Sequence, residues 1–238
     1  MRNARRPGAS EEGRPLEVLR IPAFRLFWTA TTIRAFGSSI ANVAFQVLIV
    51  TVVAATPFQI GILSALGVAP YLFLGFIIGA LMDRWNRQRT LVLTSIGRAV
   101  VLAVVPILLL LDRLEFWSLA VIMLMLGVLT LFAHSAEQPF VPQIVPRASL
   151  VSANARLGQS ETVAGTAGPA AGGALLTLVG APLIFVFEAV IHAVSAVLQS
   201  RIRVTESAPA PRAAGRHIGH DIAEGMRFTY RHKTLRPL

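Results

Sequence analysis

Apolar residues fall in long, nearly unbroken runs along this chain, and the polar residues gather between them. Six runs stand out, at 24–51, 58–82, 91–111, 116–136, 161–178 and 182–199. Each is close to or above the ~20 mostly apolar residues that a helix needs to cross a bilayer. Pro57 and Pro182 sit just inside helix starts, where the missing N–H costs nothing. The fifth run is the least hydrophobic, being rich in Gly, Ala and Thr. The pattern predicts an all-α membrane protein with six transmembrane helices.

Composition strengthens this reading. Hydrophobic residues make up 54% and mean hydropathy is +0.64. Charged residues are 14%, against about 25% in soluble domains. A soluble globule of 238 residues needs more polar surface than this. The net charge of +10 would suggest nucleic acid in a soluble domain. In a membrane protein, cations on one side set topology and touch anionic lipid, and that reading is preferred to nucleic acid. The loops near 53–56 and 179–181 carry no charge, and the loop near 112–115 is of mixed sign. The opposite side receives Arg84, Arg87 and Arg89, then Arg147 and Arg156, then Arg201 and Arg203. Both termini are therefore expected in the cytoplasm. Residues 1–20 read as a polar cytoplasmic arm without a cleavable signal, and 21–203 as the bundle. Residues 204–216 read as a Pro/Ala linker and 217–238 as an amphipathic cytoplasmic helix.

Several polar residues interrupt the apolar runs at helical spacing. Gly75, Gly79, Asp83 and Arg87 recur every fourth residue and share a face. The glycines would allow close helix approach, and Asp83 at the end would hold Arg84 or a helix N-terminus. Arg34, Ser38, Asn42 and Gln46 form a stripe on the first run. A charge at that depth is expensive in lipid, so the stripe reads as the wall of a substrate cavity. Snorkelling of Arg34 to the headgroups is the competing reading. His134 and Glu137 lie three apart, and Glu188 and His192 four apart. Each pair is a candidate for proton coupling, against a solvated helix end for the first and a structural pair for the second. Ala164, Gly168 and Gly172 make a small-residue face, with Pro169 expected to bend the helix.

From Leu19 to Leu235 the chain resembles the bacterial drug:proton antiporter branch of the major facilitator superfamily, which includes macrolide-efflux and siderophore-export permeases. The G-x-x-x-D-R-x-x-R run from Gly79 to Arg87 is similar to that superfamily's loop between its second and third helices. Other matching features are Phe24-Arg25-Leu26-Phe27-Trp28, Thr56-Pro57-Phe58-Gln59-Ile60-Gly61, Gly97-Arg98-Ala99 and Ala153-Asn154-Ala155. Gly168-Pro169-x-x-Gly172-Gly173 is similar to the family's fifth-helix antiporter motif, and Glu188 matches a family acid. Arg34, His134 and His192 depart from the family's usual residues. The resemblance implies two inverted three-helix repeats, the N-terminal half of a twelve-helix fold. It implies a conformational role for Gly75, Gly79, Asp83, Arg84, Arg87 and Arg98. It also implies proton-coupled efflux of small hydrophobic or amphiphilic molecules from a bacterial cytoplasmic membrane, with a second six-helix half as partner.

The alternative expectation is a truncated, non-transporting membrane fragment or a partner-docking module; a half-size homodimeric transporter is weaker. No enzyme, cofactor or metal is expected. The chain has no cysteine, its histidines lack metal-ligand spacing, no Ser–His elbow is recognisable, and there is no Walker-type loop.

Overall fold

The computed structural model describes residues 18–82 and 85–204, and every regular element in them is helical. Five helices follow in order: α1 (Pro22–Thr51), α2 (Pro57–Met82), α3 (Arg87–Leu110), α4 (Phe116–Ile144) and α5 (Leu150–Ser200). Single 3-10 turns precede α1 and α5. All five helices are long and apolar enough to cross a membrane. At 1.5 Å per residue, even α3 extends roughly 36 Å, beyond the ~30 Å hydrocarbon core.

The helix starts follow from local side chains. Pro22 opens α1. Before α2, the Thr56 N–H donates to Gln59 Oε1 at 2.8 Å and the Gln59 N–H donates to Thr56 Oγ1 at 3.3 Å. That reciprocal pair satisfies two N–H groups that a helix start leaves orphaned. Asn86 caps α3 by accepting from the Arg89 N–H at 2.7 Å. Glu115 and Ser118 form a second box at α4.

α5 spans 51 residues but is not one rod. Gly180 has φ 78° and ψ 166°, a conformation that essentially only glycine adopts. The contacts of α5 with α1 reverse across it. Before Gly180, Ser160 bonds to Trp28 and Thr32, Gly168 faces Ser39, and Gly172 faces Ile40. After it, Phe185 meets Phe45 edge to face, Glu188 meets Ser38, Ile191 meets Gly37, and Ser195 reaches the Ala30 carbonyl. The first arm therefore runs parallel to α1 and the second antiparallel to it. The remaining main contacts are α2 with α4, α3 with α4, and α3 with the second arm.

The burial pattern is the reverse of a soluble protein's. Leu72, Phe73, Trp117 and Phe187 are exposed, while Arg34, Glu188 and His192 are buried. Two apolar clusters hold the interior. One packs Phe24, Phe27, Leu91, Phe140 and Ile202. The other packs Phe45, Leu48, Leu102, Leu119 and Phe185. On α1, α3 and the second arm of α5, a polar layer lies between them.

Three expectations change here. α4 runs to Ile144, eight residues beyond the predicted 136. The fifth helix begins at Leu150, eleven residues before the predicted 161. In both, hydropathy stops at polar residues that the helix carries onward because its backbone bonds are satisfied internally. Pro169 leaves helical angles intact, and Gly180 is the non-helical residue of the element. The proposed linker and amphipathic helix, most of the N-terminal arm, and Asp83 and Arg84 lie outside the described residues.

Candidate functional site

The polar layer is built by four helices. α1 contributes Arg34 and Ser38, α3 contributes Arg98, α4 contributes Glu137, and the second arm of α5 contributes Glu188 and His192. Arg34 is 8% exposed. Its Nη2 donates to Glu137 Oε1, in an ion pair that joins α1 to α4. These two helices otherwise touch little, so a charge pair links elements that apolar packing leaves nearly independent. Snorkelling of Arg34 is thereby overturned, because its guanidinium turns inward to a carboxylate.

One turn further on, the Ser38 hydroxyl donates to Glu188 Oε1 at 2.9 Å. His192 Nε2 lies 3.8 Å from the same oxygen. The sequence spacing anticipated Glu188 beside His192; it did not anticipate Ser38 as the third member. Arg98 stands among these groups. The charges of Arg34, Glu188 and Glu137 lie within electrostatic reach of it, with the Tyr71 phenol of α2 nearby. The structure thus gathers two guanidiniums and two carboxylates from α1, α3, α4 and α5 into one interior group.

The rest of the α1 stripe opens outward. Asn42 and Gln46 are exposed, and Gln46 Nε2 donates to Asn42 Oδ1 at 2.8 Å. His134 does not join Glu137. It is exposed and lines a cleft of about 410 Å³ between α2 and α4, with Tyr71, Gly79, Arg87, Ser135 and Gln138 among its walls. The two residues lie three apart on α4 but serve different surroundings, so they are not a coupled pair here.

The glycines divide into two sets. A Cβ on Gly168 would sit 2.4 Å from Ser39 Oγ, and one on Gly172 would sit 2.9 Å from the Ile40 carbonyl oxygen. With buried Ala164, they form the predicted small-residue face against α1. Gly75, Gly79 and Gly173 have nothing within 4 Å of an added Cβ. The close approach expected at Gly75 and Gly79 is therefore made by no described residue of this chain.

A missed contact closes the end of the bundle. Gln88 Nε2 donates to the carbonyls of Gln199 at 2.8 Å and Ile202 at 2.7 Å, and Ser95 Oγ donates to Gln199 Oε1 at 2.9 Å. Gln88 thereby adds a donor to backbone carbonyls at the end of α5, and Ser95 holds the Gln199 side chain. Amide side chains near a helix start were the available signal, but their partners lie more than 100 positions away.

A helical bundle with an apolar exterior and a charged interior is that of a multi-pass membrane protein. Residues 14–237 match the family described as transmembrane secretion effector. The chain belongs to that family, within the major facilitator superfamily of transporters. It is also 32% identical over 146 residues to uncharacterized MFS-type transporters of Mycobacterium bovis and of Mycobacterium tuberculosis. Each match covers 59% of this chain and 33% of the relative, so the aligned part spans about a third of those proteins. The family points to transport rather than to enzyme chemistry.

Proposed function

We propose that this chain supplies one six-helix wall of a proton-coupled exporter of small hydrophobic or amphiphilic molecules. The observation that carries the reading is the four-charge group of Arg34, Arg98, Glu137 and Glu188, held inside an apolar bundle. Ionisable residues at such depth are costly and mark substrate or proton paths. Glu188 with His192 is the candidate proton carrier, and the stripe from Arg34 to Gln46 the candidate cavity wall.

Each arm of α5 is read as one crossing, which makes six spans. Contact topology supports inverted repeats. Exchanging α1 with α4, α2 with the first arm of α5, and α3 with the second arm maps the α1–first arm contact onto α4–α2. It maps α1–second arm onto α4–α3 and returns α3–second arm to itself. A second bundle would cover the open glycines of α2 and the first arm, and rocking of the two halves would alternate access. Both termini are assigned to the cytoplasm of a bacterial inner membrane, with anionic lipid against the arginine-rich ends.

The test uses energised inverted vesicles from cells expressing the whole encoded protein. Accumulation of amphiphilic fluorophores should collapse with a protonophore. Accumulation equal to that of empty-vector vesicles, or insensitive to the protonophore, would reject the reading.

A further inference from the structure

The central charge group has two arginines, and among the described residues only Arg34 has an ion-pair partner. Arg34 pairs with Glu137, and His192 Nε2 lies 3.8 Å from Glu188 Oε1, an ion pair only when the imidazole is protonated; among the described residues neither contact includes Arg98. The Arg98 Nε is buried without a hydrogen-bond partner. Glu188 Oε2 is also buried without one, yet no ion pair joins it to Arg98. Among charges acting on Arg98, the foremost is the like charge of Arg34. A guanidinium cannot shed its charge by losing a proton. With two such groups within electrostatic reach of each other and Arg98 left open, an anion is the missing complement.

The carboxylates nearby are already engaged. Glu137 is taken by Arg34, and Glu188 accepts from Ser38 and faces His192. Counting both guanidiniums and both carboxylates, the group is neutral when all four are ionised. Protonating either carboxylate makes it positive. It is never net negative, so a cationic ligand meets no complementary charge there. A compact anion does, because a guanidinium fork matches the paired oxygens of a carboxylate, phosphate or sulfonate.

A cleft shares one of its walls with the surroundings of this group. Tyr71 lies within electrostatic reach of Arg98 and Glu137, is 41% exposed, and lines the cleft between α2 and α4. That cleft, about 410 Å³ with Met82, Leu131 and Pro139 among its walls, suits the apolar body of a small molecule.

We propose that Arg98, with Arg34 beside it, is the subsite for a compact anionic group on the transported molecule, whose apolar body lies in the cleft past Tyr71. The proposal deepens the transporter reading and rests on it: it names the charge class of the substrate.

The probes are naphthalene-2-sulfonate, ionised across the working pH range, and its neutral analogue naphthalene-2-sulfonamide. Binding to the full chain in phosphatidylcholine nanodiscs is followed by calorimetry. The sulfonate should bind at least about tenfold more tightly than the sulfonamide. Arg98→Gln should abolish that preference. Should that variant not fold, Arg98→Lys keeps the charge and loses the fork, and should reduce the preference. The double variant Arg34→Gln/Glu137→Gln removes the neighbouring pair without leaving a lone charge, and should also weaken sulfonate binding.

Equal binding of the two probes, tighter binding of methyltriphenylphosphonium than of the sulfonate, or a preference that survives Arg98→Gln would overturn the proposal. So would loss of sulfonate binding on adding phosphatidylglycerol, which would assign the site to a lipid headgroup. These measurements need no transport. A failed preference with intact flux from the whole protein rejects the anion subsite alone, and absent flux rejects the transporter reading.

Discussion

Gly168→Ala offers a direct test of the packing between α1 and the first arm of α5. A Cβ at 168 would lie 2.4 Å from Ser39 Oγ and 2.5 Å from Ser39 Cβ. Carbon atoms rest about 3.5–4.0 Å apart at optimal contact, so the helices must part by roughly 1 Å or distort. Overpacking of this kind costs about 1–3 kcal/mol. The same substitution raises helix propensity by about 1 kcal/mol, which would mask part of the loss. Gly165→Ala supplies the control. It lies in the same helix, carries the same propensity gain, and has nothing within 4 Å of its added Cβ. The difference between the two variants isolates the clash, and it should be about 1–3 kcal/mol in favour of Gly165→Ala. Unfolding by SDS titration in a fixed detergent, followed by tryptophan fluorescence, measures it. Ser39→Gly added to Gly168→Ala should recover most of the loss, because it removes both atoms in conflict. Gly172→Ala should not be rescued by trimming the Ile40 side chain, since the nearest atoms there belong to the Ile40 backbone. Equal stability of Gly168→Ala and Gly165→Ala, or failure of the Ser39→Gly rescue, would refute the proposed face.

Further outcomes follow from individual contacts. Glu137→Ala should destabilise the bundle by about 3–5 kcal/mol by stranding Arg34, while Arg34→Gln/Glu137→Gln should cost clearly less; a double-mutant cycle in the same unfolding assay decides. Ser160→Ala removes the acceptor for the Trp28 indole at 2.9 Å and the Thr32 hydroxyl at 3.0 Å. It should cost about 1–3 kcal/mol and shift Trp28 emission in a variant whose other tryptophans are phenylalanine; unchanged emission would count against that contact. Gly180→Ala should cost about 1–3 kcal/mol through backbone strain alone, because a Cβ there meets no close neighbour; stability equal to wild type would remove the strain argument. Cysteines at 42 and 46 should react with a membrane-impermeant thiol reagent in open vesicles, while one at the fully buried His192 should not; the reverse pattern would contradict the placement of the stripe.

Much of the bundle was legible because lipid-facing helices advertise themselves. The starts and ends of α1, α2 and α3 fall within a few residues of their apolar runs. α4 and α5 extend past theirs because Glu137, Gln138 and Arg156 are helical residues turned toward protein or water. Hydropathy reports the neighbour of a side chain, not its backbone state. The Gly180 reversal was visible as an uncharged Val-Gly-Ala link. Pairs within one helix could be read from spacing, as Glu188 and His192 were. Arg34 with Glu137 and Ser38 with Glu188 could not, since 103 and 150 positions separate them. Nor could spacing tell which glycines meet a neighbour. Gly75 and Gly168 look alike in sequence, and α1 faces only the second.

The most direct test of the account is flux through the purified whole protein in proteoliposomes under an imposed pH gradient. Anionic, neutral and cationic fluorescent amphiphiles are compared for wild type, Glu188→Gln, and Leu72→Ala as a variant on the exposed apolar surface. The account predicts gradient-dependent flux in wild type and Leu72→Ala, and its loss in Glu188→Gln at matched protein abundance. No gradient-dependent flux in wild type, or undiminished flux in Glu188→Gln, would contradict it.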